Sequence, residues 1–374
     1  MKIGISLLCA RKNRTGLENV AFNLIKQLSQ IDNDNKYVIY TNKQIREWVS
    51  PKDSSIQVVD VTLSCRRYLW VWEHLYFLTH RKNEEIDLLH FPISGGVVGY
   101  KGKFILTVHD LKHYRMKNLV KLRRHVLNRF WYNANIKRAK MIITVSEYVK
   151  NDVLKNFNIP EENIRVIYNG VDDRFRPCEG SSGFRSKYKL PSDYILFVGQ
   201  TTPSKNIRRA IDAVKLVREK YNFDCPFVVA GPQGEEDELL KKYVKNNNLE
   251  NIVQFCGYIA DDDMPKLYSN SKLFLSPSIT EGFGLPMLEA VSCGIPVVAA
   301  NTASMPEILG DAAIWVDPFS VDSIAEGIRK ALVDKDDTSK MIKRGLLRVK
   351  DFSWEKMTRE TLRVYSELGR NQYS

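Results

Sequence analysis

Short apolar runs recur along this chain, each followed by a stretch with helical periodicity. In the first half they are KIGISLL (2–8), YVIY (37–40), IQVVDV (56–61), DLLHF (87–91), FILTVHD (104–110), MIITVS (141–146) and IRVIY (164–168). In the second half they are YILFVGQ (194–200), PFVVAG (226–231), IVQFCG (252–257), KLFLSP (272–277), IPVVAA (295–300) and AAIWVD (312–317). Near-continuous apolar strands alternating with helices predict parallel sheets covered on both faces. Two such blocks predict an α/β chain of two Rossmann-like domains. The expected break is the Gly/Ser-rich stretch CEGSSGFRSKYKLPSD (178–193), giving domains over 1–185 and 190–353.

Several helices carry their own signal. RTGLENVAFNLIKQL (14–28) follows the first strand. In CRRYLWVWEHLYFLTHRK (65–82), Tyr68, Trp72 and Tyr76 fall at i, i+4 and i+8, which predicts a core-facing stripe. In 118–139, Leu119, Leu122, Val126, Phe130 and Ala134 form one apolar stripe among basic residues. A chain of 374 residues fits two domains. No run of eighteen apolar residues occurs, and MKIGISLLCARKNR lacks the layout of a signal peptide, so a cytoplasmic location is expected. The six cysteines show no Cys-x-x-Cys spacing. Cys225 and Cys256, in or beside strands, read as small buried hydrophobes.

Charge is unevenly placed. The chain carries a net +12, yet residues 190–374 are slightly acidic and the first half holds the whole excess. Residues 111–140 contain ten Lys or Arg and no acid. A solvated helix face explains the periodicity there but not the missing acids. An anionic partner does.

The most informative run is EGFGLPMLEAVSCGIPVV (281–298). Glu281 and Glu289 stand eight residues apart, with Gly282 and Gly284 between them. Pro286 suits a first helical position, Gly294 a helix end, and IPVVAA a buried strand. Loop, short helix, turn and strand would bring both carboxylates to one pocket. The free N–H groups of the helix start could grip an anion. This run resembles the family-4 retaining glycosyltransferases of the GT-B fold, mannosyltransferase-like members among them. The resemblance implies two Rossmann-like domains with parallel sheets facing a central cleft. It also implies that the terminal helix, residues 354–374, crosses back to the first, acceptor-binding domain. The second domain would bind the nucleotide sugar. Glu281 would contact the donor sugar hydroxyls and Glu289 the ribose hydroxyls, with the backbone of Gly282, Phe283, Gly284 and Leu285 on sugar and diphosphate.

Other segments carry chemistry by themselves and through that resemblance. FVGQTTPSKN (197–206) is a strand-to-helix turn, where α/β sheets bind anions. Lys205 would hold the diphosphate, with Gly199 beside it. The arginine usual in the family is missing, since Gln200 and Ser204 are neutral, and Arg208 or Arg209 is the candidate to replace it. VHD (108–110) ends a strand, and the resemblance gives His109 a place beside the reacting carbon. Satisfying a backbone carbonyl is its equally weighted alternative. HDLKH (109–113) has the spacing of a zinc pair but begins at a strand end, so it fails as one. DDD (261–263) reads as a helix N-cap before Pro265 rather than a metal site. Gly257 and Tyr258 would touch the nucleobase, and Gly16 the diphosphate or acceptor. IYNGVDDRF (167–175) and TVSEY (144–148) match family signatures at strand ends. GGVVG (95–99) precedes a strand and is no dinucleotide fingerprint.

The expected enzyme is a retaining, metal-independent hexosyltransferase of cell-surface polysaccharide or glycolipid synthesis. It would use a nucleotide-diphosphate sugar as donor substrate, with no cofactor. Its acceptor would be a glycan or a lipid-diphosphate-linked sugar. Residues 111–140 would contact an anionic membrane surface, placing the protein peripherally on the inner face. His109, Glu281 and Lys205 form the expected catalytic set. The rival readings are a sugar-nucleotide epimerase on the same fold and a nucleic-acid binder using the basic half, which leaves Glu281 and Glu289 without a purpose.

Overall fold

A computed structural model describes residues 1–11, 15–49, 56–61, 69–80, 85–115, 131–179 and 182–370. Each apolar run becomes a strand. β1 (Lys2–Ser6), β2 (Lys36–Asn42), β3 (Ile56–Val61), β4 (Leu88–Phe91), β5 (Phe104–Val108), β6 (Met141–Thr144) and β7 (Ile164–Val166) form one sheet. Its order is β3-β2-β1-β4-β5-β6-β7. β8 (Ile195–Val198), β9 (Phe227–Ala230), β10 (Val253–Gly257), β11 (Leu273–Ser276), β12 (Val297–Ala300) and β13 (Ile314–Val316) form the second, in order β10-β9-β8-β11-β12-β13. Every recorded pairing is parallel. Ile195, Phe197, Phe227 and Val229 of the second sheet are almost wholly buried against Ile207, Ile211 and Val214 of the helix Ile207–Tyr221. That helical cover is why these strands lack the alternation of a half-exposed sheet.

The chain divides into two compact units, Met1–Gly170 with Ser353–Ser374, and Val171–Phe352. The division lies upstream of the Gly/Ser-rich stretch where the sequence pointed. That stretch instead contains the helix Ser182–Tyr188, whose Tyr188 hydroxyl bonds Asp263 at 2.9 Å inside the second unit. The terminal helix Trp354–Arg370 returns to the first unit as expected. Tyr365, fully buried, anchors it through a 2.7 Å hydrogen bond to Nδ1 of His90 on β4, while His90 Nε2 meets Thr107 at 2.8 Å. Burial pushes the His90 imidazole down to about 3, so it is neutral and one nitrogen donates while the other accepts.

Two sequence expectations change. The buried face of helix Leu69–Thr79 is Glu73, His74 and Phe77. Trp72 and Tyr76 are only partly covered, and Tyr68 lies outside the described residues. Two polar anchors set this rotation: Glu73 accepts from Ser6 Oγ at 2.6 Å, and His74 Nε2 accepts from Val98 N at 2.9 Å. Cys225 and Cys256 are partly exposed rather than buried, at the margins of their strands. Of the basic stretch 111–140, residues 116–130 lie outside the described residues. No helix among the described residues is long and apolar enough to cross a membrane.

Tyr365→Phe would leave the buried His90 Nδ1 without its partner, at a cost of about 1–3 kcal/mol. The expected result is a lower thermal midpoint with unchanged far-UV circular dichroism. An unshifted midpoint would show that this bond does not hold the terminal helix.

Candidate active site

Strand order reverses twice, and each reversal opens a gap at the carboxyl ends of the strands. In the second unit it falls between β8, whose chain continues outward to β9, and β11, whose chain continues to β12. The loops after β8 and β11 therefore run side by side. Ile279 N donates to Ser204 O at 2.8 Å, and Asn206 Nδ2 donates to Pro277 O at 3.0 Å. Asn206, left-handed at φ 57°, ends the 3₁₀ turn Pro203–Lys205 and starts the helix Ile207–Tyr221. This turn brings Lys205 Nζ to 2.5 Å from Glu281 Oε1, with side-chain exposures of 21% and 16%. The two residues expected to hold diphosphate and sugar are thus ion-paired with each other. Ser304 Oγ fixes the Glu281 backbone through a 2.9 Å bond to its carbonyl.

Gly284, at φ 91°, forms the left-handed N-cap of the helix Leu285–Ser292. Pro286 is the second residue of that helix, one later than expected. Phe283 and Leu285 turn their side chains inward, Phe283 edge-on to Phe352 at 5.8 Å, so only their backbones are available to a ligand. Gly294 closes the helix at φ 72°, as the sequence implied. β8 and β9 approach closely at their ends: a Cβ on Gly231 would stand 2.3 Å from Gly199 O.

Glu289 sits in different surroundings from Glu281. Its Oε2 accepts from the Tyr268 hydroxyl at 2.7 Å. The carboxyl is pushed up to about 7, first by desolvation, with Tyr268 and the Arg174 guanidinium opposing and Asp261 and Asp172 adding to the rise. Arg174 reaches this place from the first residues of the second unit, its Nη1 bonding Asp261 O at 3.1 Å. Tyr258, 53% exposed after β10, has its hydroxyl 3.1 Å from Asp261 Oδ1.

The Asp261–Asp263 run departs from its expected role. Asp263 occupies the N-cap position of helix Met264–Ser269 but makes no side-chain cap bond. Its carboxylate is taken by Lys187 at 2.7 Å and Tyr188 at 2.9 Å. The two candidate arginines also separate. Arg208 stacks on the Tyr243 ring at 4.4 Å, whereas Arg209 bonds Asn206 Oδ1 at 2.9 Å, next to Lys205.

His109 and Gly16 belong to the first unit. His109 follows β5, and its Nε2 lies 2.7 Å from Pro92 O. A carbonyl only accepts, so Nε2 carries the proton and Nδ1 the lone pair. Burial lowers the affinity of this imidazole for a second proton. The carbonyl-satisfying alternative is thus what the ring does. Gly16 opens the helix Gly16–Ile31 behind Thr15, whose N–H donates to Glu18 at 3.0 Å. Sequence reading missed Tyr268, Asn206, Gly231 and Ser304. Asn206 and Gly231 lay within FVGQTTPSKN and PFVVAG without being singled out, Tyr268 and Ser304 lay in no motif, and Arg174 was legible only as part of IYNGVDDRF.

The glycosyltransferase family 4 model matches residues 14–175, and the model of glycosyl transferases group 1 matches residues 184–348. An O-antigen chain mannosyltransferase B of Escherichia coli is 34% identical over 71% of this chain and 70% of its own. The chain belongs to the family-4 glycosyltransferases. An O-antigen chain mannosyltransferase of Salmonella typhimurium is 32% identical over 60% of this chain and 59% of its own. Among solved structures, sucrose-phosphate synthase from Thermosynechococcus elongatus aligns at TM-score 0.80 with 18% identity, covering 99% of this chain and 100% of its own. Anabaena HepE in complex with UDP-glucose aligns at TM-score 0.75 with 19% identity, covering 98% and 100%. These likenesses show the glycosyltransferase to have the GT-B fold.

Gly231→Ala would force the β8 and β9 ends apart, because the added methyl meets backbone that cannot swing aside. The expected loss is about 1–3 kcal/mol of stability, seen in urea unfolding. Wild-type stability would contradict the close approach.

Proposed function

We propose that this glycosyltransferase moves a hexose, with mannose favoured by its named relatives, from a nucleotide-diphosphate sugar to a glycan or lipid-linked acceptor in surface polysaccharide synthesis. The observation that carries the reading is the Lys205–Glu281 pair at the β8/β11 reversal, with Glu289 one helix away. A donor replaces that pair with better partners. Its diphosphate takes the ammonium, and its sugar hydroxyls donate to the carboxylate. As the C1–oxygen bond breaks, charge grows on the diphosphate, where Lys205 and the N-terminus of the helix Leu285–Ser292 stabilise it. Arg209, held beside Asn206, supplies the second positive charge, and no metal is required. The acceptor hydroxyl attacks from the leaving group's face and passes its proton to the departing diphosphate oxygen, so the anomeric configuration is retained. His109, neutral with Nδ1 unprotonated, lines the acceptor side.

The defining experiment incubates the protein with nucleotide sugars, GDP-mannose and UDP-glucose included, and a synthetic lipid-linked glycan, in EDTA. Transfer with retained configuration in the product's proton spectrum is expected. Sugar-nucleotide turnover without acceptor would favour epimerisation, and activity restored only by Mg²⁺ or Mn²⁺ would overturn metal independence. Arg209→Ala should weaken nucleotide-diphosphate binding at least tenfold, as loss of a charge-assisted bond implies. Arg208→Ala should not, and equal effects would refute the assignment.

Glu289 must be ionised to accept two ribose hydroxyls. Since its carboxyl titrates at about 7, its protonated fraction grows below that pH. Affinity for the free nucleoside diphosphate should rise between about pH 6 and pH 8. Glu289→Gln should abolish that rise and cost about 1.5–3 kcal/mol at pH 8. A pH rise that survives in the variant would assign the titration to another group.

The basic stretch 111–140 is proposed to meet an anionic membrane surface. Liposome binding should require anionic lipid, fall with salt and weaken on charge reversal at Arg123 and Arg124. Equal binding to neutral vesicles would reject it.

A further inference from the structure

Glu289 is not held by its own helix alone. Tyr268, fully buried, stands edge-on to Phe175 at 5.8 Å and tilted against Phe274 at 5.7 Å. Its ring is fixed on both sides, so its hydroxyl is aimed at one place, Glu289 Oε2 at 2.7 Å. Burial and the neighbouring carboxylate push the phenol well above its ordinary range, so it stays protonated and acts as donor. A carboxylate offers about four acceptor positions. One is filled by Tyr268, and the others remain for a ligand's hydroxyls.

The surroundings show why such a donor is needed. The groups facing Glu289 are Tyr268 from helix Met264–Ser269, Arg174 and Asp172 from the start of the second unit, and Asp261 from the turn Asp261–Asp263. At the C-cap of its own helix Cys293 lies close by. Two of these are acids, and the carboxyl is largely desolvated. Arg174 is the facing cation. Its Nη1 is committed to Asp261 O, and its buried Nε has no protein partner among the described residues.

We propose that Tyr268 is a positioning residue for donor binding: its locked hydroxyl fixes the Glu289 carboxylate in the orientation that receives the nucleotide's ribose diol, with Arg174 as counter-charge. This rests on reading Glu289 as the ribose-binding group. Tyr268 never touches the donor. It acts by bonding the charged form of Glu289, which favours that form against burial and the two neighbouring acids. A ring serving packing alone would need no hydroxyl, and an unbonded buried hydroxyl would itself be costly.

The test is calorimetric titration of the whole protein with GDP and UDP from about pH 6 to pH 9, on wild type, Tyr268→Phe, Phe175→Leu and Glu289→Gln. Tyr268→Phe removes one oxygen and keeps the ring, so the fold is retained. Its pH midpoint for nucleotide binding should rise by about one unit, with affinity at pH 7 roughly fivefold weaker and almost fully recovered at pH 9. Phe175→Leu loosens the packing but keeps the hydroxyl, so its thermal midpoint should fall while the pH midpoint stays put. An unshifted pH midpoint in Tyr268→Phe, or an equal shift in Phe175→Leu, overturns the positioning role while leaving Glu289 assigned. Wild-type nucleotide binding by Glu289→Gln overturns the ribose reading itself, and the proposal with it.

Discussion

The second unit of this glycosyltransferase depends on a reversal of winding direction at β8. From β8 the chain builds outward through β9 and β10, then returns to lay β11 on the other side. Helices leaving adjacent strands in opposite directions cannot close over the carboxyl edge between them, so a crevice is unavoidable there. The contacts of Ser204 with Ile279 and of Asn206 with Pro277 and Pro318 hold its rims together. Lys205 and Glu281 meet because those rims are adjacent, although 76 positions separate them in sequence.

Within this crevice two glutamates of one motif have different neighbours. Glu281 faces the Lys205 ammonium and keeps some solvent. Glu289 has two acids nearby, and desolvation pushes its carboxyl up to about 7 despite Tyr268 and Arg174. Eight residues of spacing do not distinguish them. The difference comes from what the helix Met264–Ser269 and residues 172–174 bring against Glu289. A carboxyl that titrates near neutral pH is therefore a property of the second glutamate and its neighbours.

The first unit uses buried polar side chains for anchorage. His90 joins β4, β5 and the terminal helix through Tyr365 and Thr107, and its neutral state follows from burial. Glu73 ties helix Leu69–Thr79 to Ser6 and Cys9 at the end of β1. Glu73 and His74 rotate that helix so that Trp70, Leu75 and Leu78 are about half exposed while Phe77 is buried. Aromatic periodicity failed there because polar partners, Ser6 on β1 and Val98 in the loop after β4, outweighed the preference of any one ring. Tyr76 lost its expected place in the core to this rotation.

All thirteen strands were legible in the chain, because a buried parallel strand must be apolar and a covering helix must be amphipathic. The 281–298 run fixed its loop, helix and strand almost to the residue, since Gly284 and Gly294 need left-handed backbone and Pro286 tolerates only a helix start. Family membership was legible for the same reason. Domain limits were less so: a Gly/Ser-rich stretch reads as a linker, yet Tyr188 tethers it to Asp263 inside the second unit. Tertiary structure alone decided that Lys205 pairs with Glu281, that Asp263 answers Lys187 instead of capping its helix, that Arg209 and not Arg208 lies by Asn206, and that Tyr268 holds Glu289. Local pattern encodes period and backbone conformation, which a residue carries with it. A side chain's partner is chosen by strand order and by the closeness of distant loops, and neither is written in the spacing of residues along one segment.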